Sequence, residues 1–237
     1  LPADGTAVRS YLALRGIAGP VLDSLPRGLR FAPRLKYIRK GAPDYCGPAM
    51  VAAIWDAQGQ LAAVHQTWID LDQPSGKALL TDPATGETLP AKLVRGSKKG
   101  GAIRLGGLSI DATFGPDVLV MGEGIETTLS ALCADPVPNA AYWAGVDLGN
   151  MAGRMRRVPG TRYSGVPDLG DDGDGFVPPA WVRRLIFIMD GDSDPAATRA
   201  KCQCGLQRAL ARRPGLKAEL VAAAPGQDLN DMLRGPQ

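Results

Sequence analysis

Two apolar runs that end on carboxylates constrain this chain more than anything else in it. Val118-Leu119-Val120-Met121-Gly122 passes directly into Glu123-Gly124, and Leu185-Ile186-Phe187-Ile188-Met189 passes into Asp190-Gly191-Asp192. Each run has the length of a strand and is apolar at successive positions, the pattern of a strand buried on both faces. From Pro116 onward such strands alternate with helical periodicities: strands over 117–122, 140–144, 183–189 and 217–223, helices over 125–134, 147–155, 195–213 and 228–234. The alternation predicts an α/β fold, a parallel sheet with helices on both faces.

In open sheets of this kind the carboxyl ends of the strands line the ligand crevice. Glu123, Asp190 and Asp192 fall there, and Gly191 allows backbone angles that let both aspartates point into one site. Carboxylates held close together repel unless a cation sits among them, and hard oxygen donors suit magnesium or manganese bridging to phosphate. A structural role stays open for Glu123 and for the nearby Asp194. Glu123 also suits the first turn of a helix, where the dipole favours a negative charge, and Asp194, before Pro195, is a good N-cap as well as a candidate metal ligand.

The first 114 residues follow another pattern. Ala7 to Arg15 has helical periodicity with Gly16 as its stop, and 21–25 reads as a short helical turn. The β-rich stretches 49–55 and 61–69 flank Asp56-Ala57-Gln58-Gly59, an antiparallel hairpin; a further turn falls at 82–86 and a short strand at 102–105. A small α+β module over 1–114 is therefore expected to precede the α/β domain over 115–237. The 27 basic and 24 acidic residues leave a net charge of only +3, so overall charge does not point to nucleic acid. Distribution says more: Lys92, Arg95, Lys98, Lys99 and Arg104 occur with no acid between them, next to Gly96, Gly100 and Gly101. Such a segment reads either as a loop gripping phosphates, joined by Lys77 and by Arg30 or Arg34, or as a solvated basic loop.

Other features carry plainer readings. Cys46, Cys133, Cys202 and Cys204 form no Cys-x-x-Cys pair, so neither a zinc ribbon nor a dithiol redox site can be drawn. His65 is expected to pack in its strand; Trp68 would stack a base if it lay on the open face of the hairpin. The acidic stretch 168–174 lacks the spacing of a calcium loop and reads as a surface loop. No apolar run approaches the ~20 residues a bilayer requires, which leads to an expected cytoplasmic location without membrane contact. The opening Leu1-Pro2, lacking an initiator Met, leads us to expect further residues upstream.

The acidic motifs carry a family resemblance. Val-Met-Gly-Glu123-Gly124 before a helix, followed by Phe-Ile-Met-Asp190-Gly-Asp192, resembles the Toprim domain shared by bacterial replicative primases, type IA and II topoisomerases and some nucleases. The tail Pro225-Gly226-Gln227-Asp228-Leu229-Asn230-Asp231 resembles the Gly-x-Asp-x-x-Asp stretch of primase-type members, with Asp228 and Asp231 as auxiliary acids. Upstream, Tyr11-Leu12-Ala13-Leu14-Arg15-Gly16-Ile17 resembles the Tyr-Leu-x-x-Arg-Gly-Ile segment of plasmid and phage primases, and Lys77 and Lys92 resemble positions of their basic subdomain. Two departures stand out. Thr127, with Glu126 beside it, occupies a position where primase-type members often carry Asp, and Ser193-Asp194-Pro195 replaces the usual x-Ala-Gly.

The resemblance implies a primase-like nucleotidyltransferase that makes short primers on single-stranded DNA from nucleoside triphosphates with magnesium or manganese. Glu123 would be the acid/base, Asp190 and Asp192 the cation ligands, and a replicative helicase a further partner. A phosphodiester-cleaving nuclease and a non-catalytic nucleic-acid-binding module remain the alternatives.

Overall fold

One sheet, nine-stranded among the described residues, runs through both halves of the chain. The structure, a computed structural model, describes residues 1–107, 115–134, 137–170, 175–189 and 194–222. In chain order the elements are α1 (Ala7–Leu14), α2 (Gly19–Asp23), β1 (Leu29–Lys36), β2 (Cys46–Trp55), β3 (Leu61–Trp68), β4 (Leu80–Thr81), β5 (Thr88–Leu89), β6 (Lys92–Gly96), β7 (Ala102–Gly106), β8 (Val118–Gly122), α3 (Ile125–Ala134), β9 (Ala140–Ala144), α4 (Leu148–Ala152), β10 (Arg184–Met189), α5 (Pro195–Arg212) and β11 (Lys217–Ala222). The sheet order is β11-β10-β8-β9-β7-β2-β3-β6, with β1 on β2, while β4 and β5 form a separate small hairpin.

The alternating half behaves as the apolar runs predict. β10 pairs in parallel with both β11 and β8, and β8 pairs in parallel with β9. From β9 onward the sheet turns antiparallel through β7, β2, β3 and β6. The β7–β9 ladder therefore joins strands from either side of the boundary expected near 114–116. The helix expected at 228–234 lies outside the described residues.

Two apolar layers hold the sheet. On one face Val8 and Leu12 of α1 and Ile125 and Leu129 of α3 bury themselves with Leu29, Met50, Ile54 and Ile103. On the other, Met151, Cys202, Leu206 and Ala209 from α4 and α5 cover Leu119, Met121, Trp143 and Phe187. Each such large side chain contributes about 1.5–3 kcal/mol on full burial, and the first layer spans both halves of the chain, so α3 couples them. No helix among the described residues is long and apolar enough to cross a membrane.

Charge concealed two strands from pattern reading. β6 falls inside the basic segment expected to be an open loop, and Gly96 (φ +104) ends it where a Cβ would lie 2.4 Å from the Ala62 carbonyl oxygen of β3. The glycine thus serves strand pairing. β1 alternates charged and apolar residues around Pro33, and its register against β2 shifts between Ala32 and Leu35, which accommodates an imide that cannot donate.

Candidate functional site

The turn from β8 into α3 presents Glu123 at the carboxyl edge of the parallel strands. Gly122 allows α3 to approach closely, since a Cβ there would lie 2.8 Å from Thr128 Oγ1. That hydroxyl accepts from the Gly122 N–H at 3.2 Å and donates to the Gly124 carbonyl at 2.8 Å, locking strand, turn and helix together. Next to β8, β9 ends in register, Gly122 opposite Ala144, and the Gly145 N–H donates to the Gly122 carbonyl at 2.9 Å.

After β9 the chain turns sharply. Val146 takes φ +74, a left-handed conformation that a β-branched residue adopts at a cost of order 1–3 kcal/mol. The turn brings Asp147 to the N-cap of α4, where Oδ1 accepts from the Asn150 N–H at 2.9 Å and Oδ2 pairs with Lys98 Nζ. Buried Asn150 completes the corner: Oδ1 accepts from Gly100 N–H at 2.9 Å, and Nδ2 donates to the carbonyls of Gly101 at 2.8 Å and Gly145 at 2.9 Å. One amide side chain thus ties the basic turn 97–101 to the strand edge.

Glu123 is half-buried, and its carboxylate accepts from the Leu148 backbone N–H. Burial pushes its carboxyl above the usual range; the Leu148 amide opposes this, Asp147 adds to it, and Lys92 and Lys201 pull it back. A carboxyl so placed is suited to holding or passing a proton, while Asp147 beside it has one oxygen on the Asn150 N–H and the other on Lys98. Among the described residues no group of three or more His, Cys, Asp or Glu side chains forms a metal cluster. Asp190, Asp192, Asp228 and Asp231 lie outside the described residues. The strand β10 is described to its last residue, Met189, and it neighbours β8 in the sheet.

Glu126 forms a second, fully interior site three residues on. Its Oε1 accepts from the Tyr11 hydroxyl of α1, and its Oε2 sits 2.9 Å from Lys92 Nζ of β6. Burial alone would lift this carboxyl, but the charges of Lys92 and Lys77 and the hydroxyl of Tyr11 outweigh it and hold Glu126 well below the ordinary carboxylate range. Tyr11 is driven well above its ordinary value by burial and by the adjacent Glu126 carboxylate. Lys92 therefore acts on both Glu123 and Glu126, linking the N-terminal helix to the strand-end carboxylate.

The basic residues divide between inside and outside. Arg95 and Lys99 are exposed, and the Arg95 guanidinium donates to the Ile38 carbonyl. Lys77 and Lys92 are half-buried and act on Glu126. Arg104 is buried, with its guanidinium carbon 5.3 Å from the Trp55 ring and 5.0 Å from that of Trp143. The residues flanking it on β7 are buried as well, and there a planar, weakly hydrated cation is favoured by stacking on indoles. It borders an open cleft of about 510 Å³ with Arg27, Arg30 and Trp55; Arg34 is exposed on β1. Asp194 caps α5, accepting from Ala196 N–H at 3.0 Å and Ala197 N–H at 3.2 Å, one of the two roles its position allowed. Trp68 does not lie on an open face: it is wholly buried against Tyr37, and its indole donates to the Leu35 carbonyl at 2.9 Å.

His65 packs as expected, and the cluster around it gives a pH prediction. Burial first, and then Lys92, lower its pKa from 6.5 to about 4, with Glu126 opposing them. As pH falls, the unfolded chain takes up this proton before the folded one does. Neutral His65 therefore supports the fold fully above pH 6.5, and that support is lost as pH drops through about 4. We expect roughly 3 kcal/mol of acid-sensitive stability in that window. Urea titrations across it should show a shallower decline for His65→Gln; an unchanged decline would exclude His65 as the source.

Sequence reading missed Asp147 and Asn150, although Ala140–Ala144 followed by Gly-Val-Asp147 repeats the pattern of an apolar strand ending on an acid.

Residues 1–105 match the sequence model of a family described as a domain of unknown function (DUF7146). No curated protein matches the sequence. Among solved structures, a DNA primase domain from Pseudomonas aeruginosa shares 14% identity at a TM-score of 0.47, over 98% of this chain and 68% of that one. The Aquifex aeolicus primase, solved as its zinc-binding and RNA polymerase domains, shares 12% identity at a TM-score of 0.50, over 98% of this chain and 53% of the other. The described α/β fold is thus similar to that of the Aquifex primase across about half of the latter's length.

Proposed function

We propose that this chain is the catalytic core of a primase-like, Toprim-type nucleotidyltransferase that extends short primers on single-stranded DNA. The observation that carries the reading is Glu123: it resembles the Toprim acid/base in sequence, and its half-buried carboxyl, lifted by burial, stands at the end of a central parallel strand beside Asp147. The fold likeness to a primase and the neighbouring parallel strands β8 and β10 support it.

In this reading Glu123, Asp190 and Asp192 would hold magnesium or manganese, which would neutralise triphosphate charge when bound. Glu123 takes up the proton of the attacking hydroxyl, Lys92 tempers its charge, and Arg95, Lys98 and Lys99 face the template phosphates. Lys77 supports Lys92 through Glu126, and Arg104 stiffens the rim of the neighbouring cleft. The 1–114 and 115–237 halves would act as template-holding and chemical halves of one sheet.

Incubation with single-stranded DNA, labelled nucleotides and magnesium or manganese is expected to give short products, and Glu123→Gln and Asp190→Ala are each expected to abolish them. Products that persist in both variants would overturn the assignment. Degradation of the DNA without incorporation would establish the nuclease reading instead.

A further inference from the structure

Between α4 and β10 the chain makes a basic hairpin that the strand-end chemistry does not use. Residues 154–167 contain Arg154, Arg156, Arg157 and Arg162 and no acidic residue. Val158-Pro159-Gly160-Thr161 forms its tip: proline presets the second position, Gly160 takes φ +74, and the Thr161 N–H donates to the Val158 carbonyl at 3.1 Å. The arms are tied by Arg156 N–H to the Val166 carbonyl at 2.8 Å, by Asp168 N–H to the Arg154 carbonyl at 2.9 Å, and by a bridge between Met155 and Pro167.

The base is fixed to the core. Arg208 of α5, 1% exposed, donates to the carbonyls of Ala152 at 3.1 Å, Asp168 at 3.0 Å and Arg154 at 2.7 Å. A rigid mount thus carries a charged outer surface. Arg156, Arg157 and Arg162 are exposed, and among the described residues none of them is paired with a carboxylate. With Pro159 and Thr161 they border an open groove of about 520 Å³. At the hairpin's foot, Arg154 shares a second groove of about 280 Å³ with Lys98, Lys99, Asp147 and Asn150. Basic side chains therefore line both grooves, the inner one at the corner where Asp147 acts on Glu123 and the outer one at the tip.

We propose that the 154–167 hairpin grips the phosphate backbone of a nucleic-acid strand leading to or from the carboxylate corner. Exposed guanidinia hold a single anion weakly, because water competes for each; only a polymer with repeated phosphates sums their contributions. Guanidinia also pair bidentately with phosphate oxygens. The inference rests on the nucleic-acid reading above but not on turnover.

The test is binding of a fluorescent oligo-dT strand by the full chain, titrated at salt concentrations between about 50 and 200 mM. The triple variant Arg156→Gln, Arg157→Gln, Arg162→Gln should bind about tenfold more weakly or worse, with the salt slope reduced by about 2, as expected for three phosphate contacts on a single strand. The corresponding triple Arg→Lys variant keeps the charge and should retain most of the slope. Both should unfold at the wild-type midpoint, since surface substitutions of this kind change stability by about 0.5 kcal/mol or less. Wild-type affinity and slope in the Gln variant would overturn the inference. So would hairpin-dependent binding to vesicles of equimolar phosphatidylcholine and phosphatidylglycerol in the absence of oligo-dT binding. Hairpin-dependent DNA binding by a protein that incorporates no nucleotide would leave this inference standing and remove the primase-like one.

Discussion

Glu126→Ala is expected to lower the unfolding free energy by about 3 kcal/mol, a larger loss than substituting any solvent-facing acid would bring. The substitution removes the acceptor of the Tyr11 hydroxyl, which belongs to a residue with no exposed surface. An unsatisfied buried hydroxyl costs about 1–3 kcal/mol. It also removes the counter-charge of Lys92, whose side chain is 35% exposed and can turn toward water, so this part is smaller than for a sealed ion pair. The remainder is the cavity left between α1, β6 and α3.

Glu126→Gln keeps the volume and one acceptor and should cost about half as much. Because the folded-state carboxyl is held below its unfolded value, its stabilisation is intact above the ordinary carboxylate range and is lost only as pH falls through and below it. Urea unfolding with an unchanged m-value measures the loss. A cycle with Tyr11→Phe should show coupling above about 0.5 kcal/mol. Strict additivity would mean that the hydroxyl and the carboxylate do not stabilise each other. The same variant should weaken whatever Glu123 does, because Lys92, freed from Glu126, no longer faces it from a fixed position.

The contrast between Glu123 and Glu126 shows what sequence pattern can and cannot reveal here. Glu123 was legible because its position follows from local rules: an apolar strand, then a glycine, then a helix. Glu126 is three residues away, yet its partners lie 115 and 34 positions off along the chain, and only the packing of α1 and β6 onto α3 brings them together. The same division holds for the fold. The parallel strands β8, β9 and β10 and the β2–β3 hairpin announce themselves by apolar period, whereas β1 and β6 carry mostly exposed arginine and lysine and become strands by pairing with β2 and β3. In β7, buried at four successive positions, Arg104 lies against Trp55 and Trp143, and nothing in the run Lys98 to Arg104 distinguishes that inward arginine from the outward Lys99.

Arg208→Ala is expected to be the most destabilising single substitution in the α/β half, at about 4 kcal/mol. By composition the stretch 195–213, with Arg199, Lys201, Arg208, Arg212 and Arg213, reads as an exposed amphipathic helix. Arg208 instead points inward, and its fork satisfies three backbone carbonyls, among them that of Ala152, the last residue of α4. Helix ends leave carbonyls without intrahelical partners, and here that of Ala152 is sealed under α5 while those of Arg154 and Asp168 in the following segment are partly buried. Losing a charged donor to a buried acceptor costs about 1.5–3 kcal/mol each when no water replaces it; partial water entry into the vacated space brings the sum down to the stated value.

Arg208→Lys keeps the charge but offers no planar fork, so it should recover less than half of the loss. Hydrogen exchange locates the effect. The amides of Arg156 and Asp168, which close the base of the hairpin, should lose protection in Arg208→Ala, while those of β10 stay protected up to the global unfolding limit. Equal loss across β10 would mean that Arg208 holds the whole domain rather than this segment, and an unchanged unfolding midpoint would mean that water already satisfies the three carbonyls.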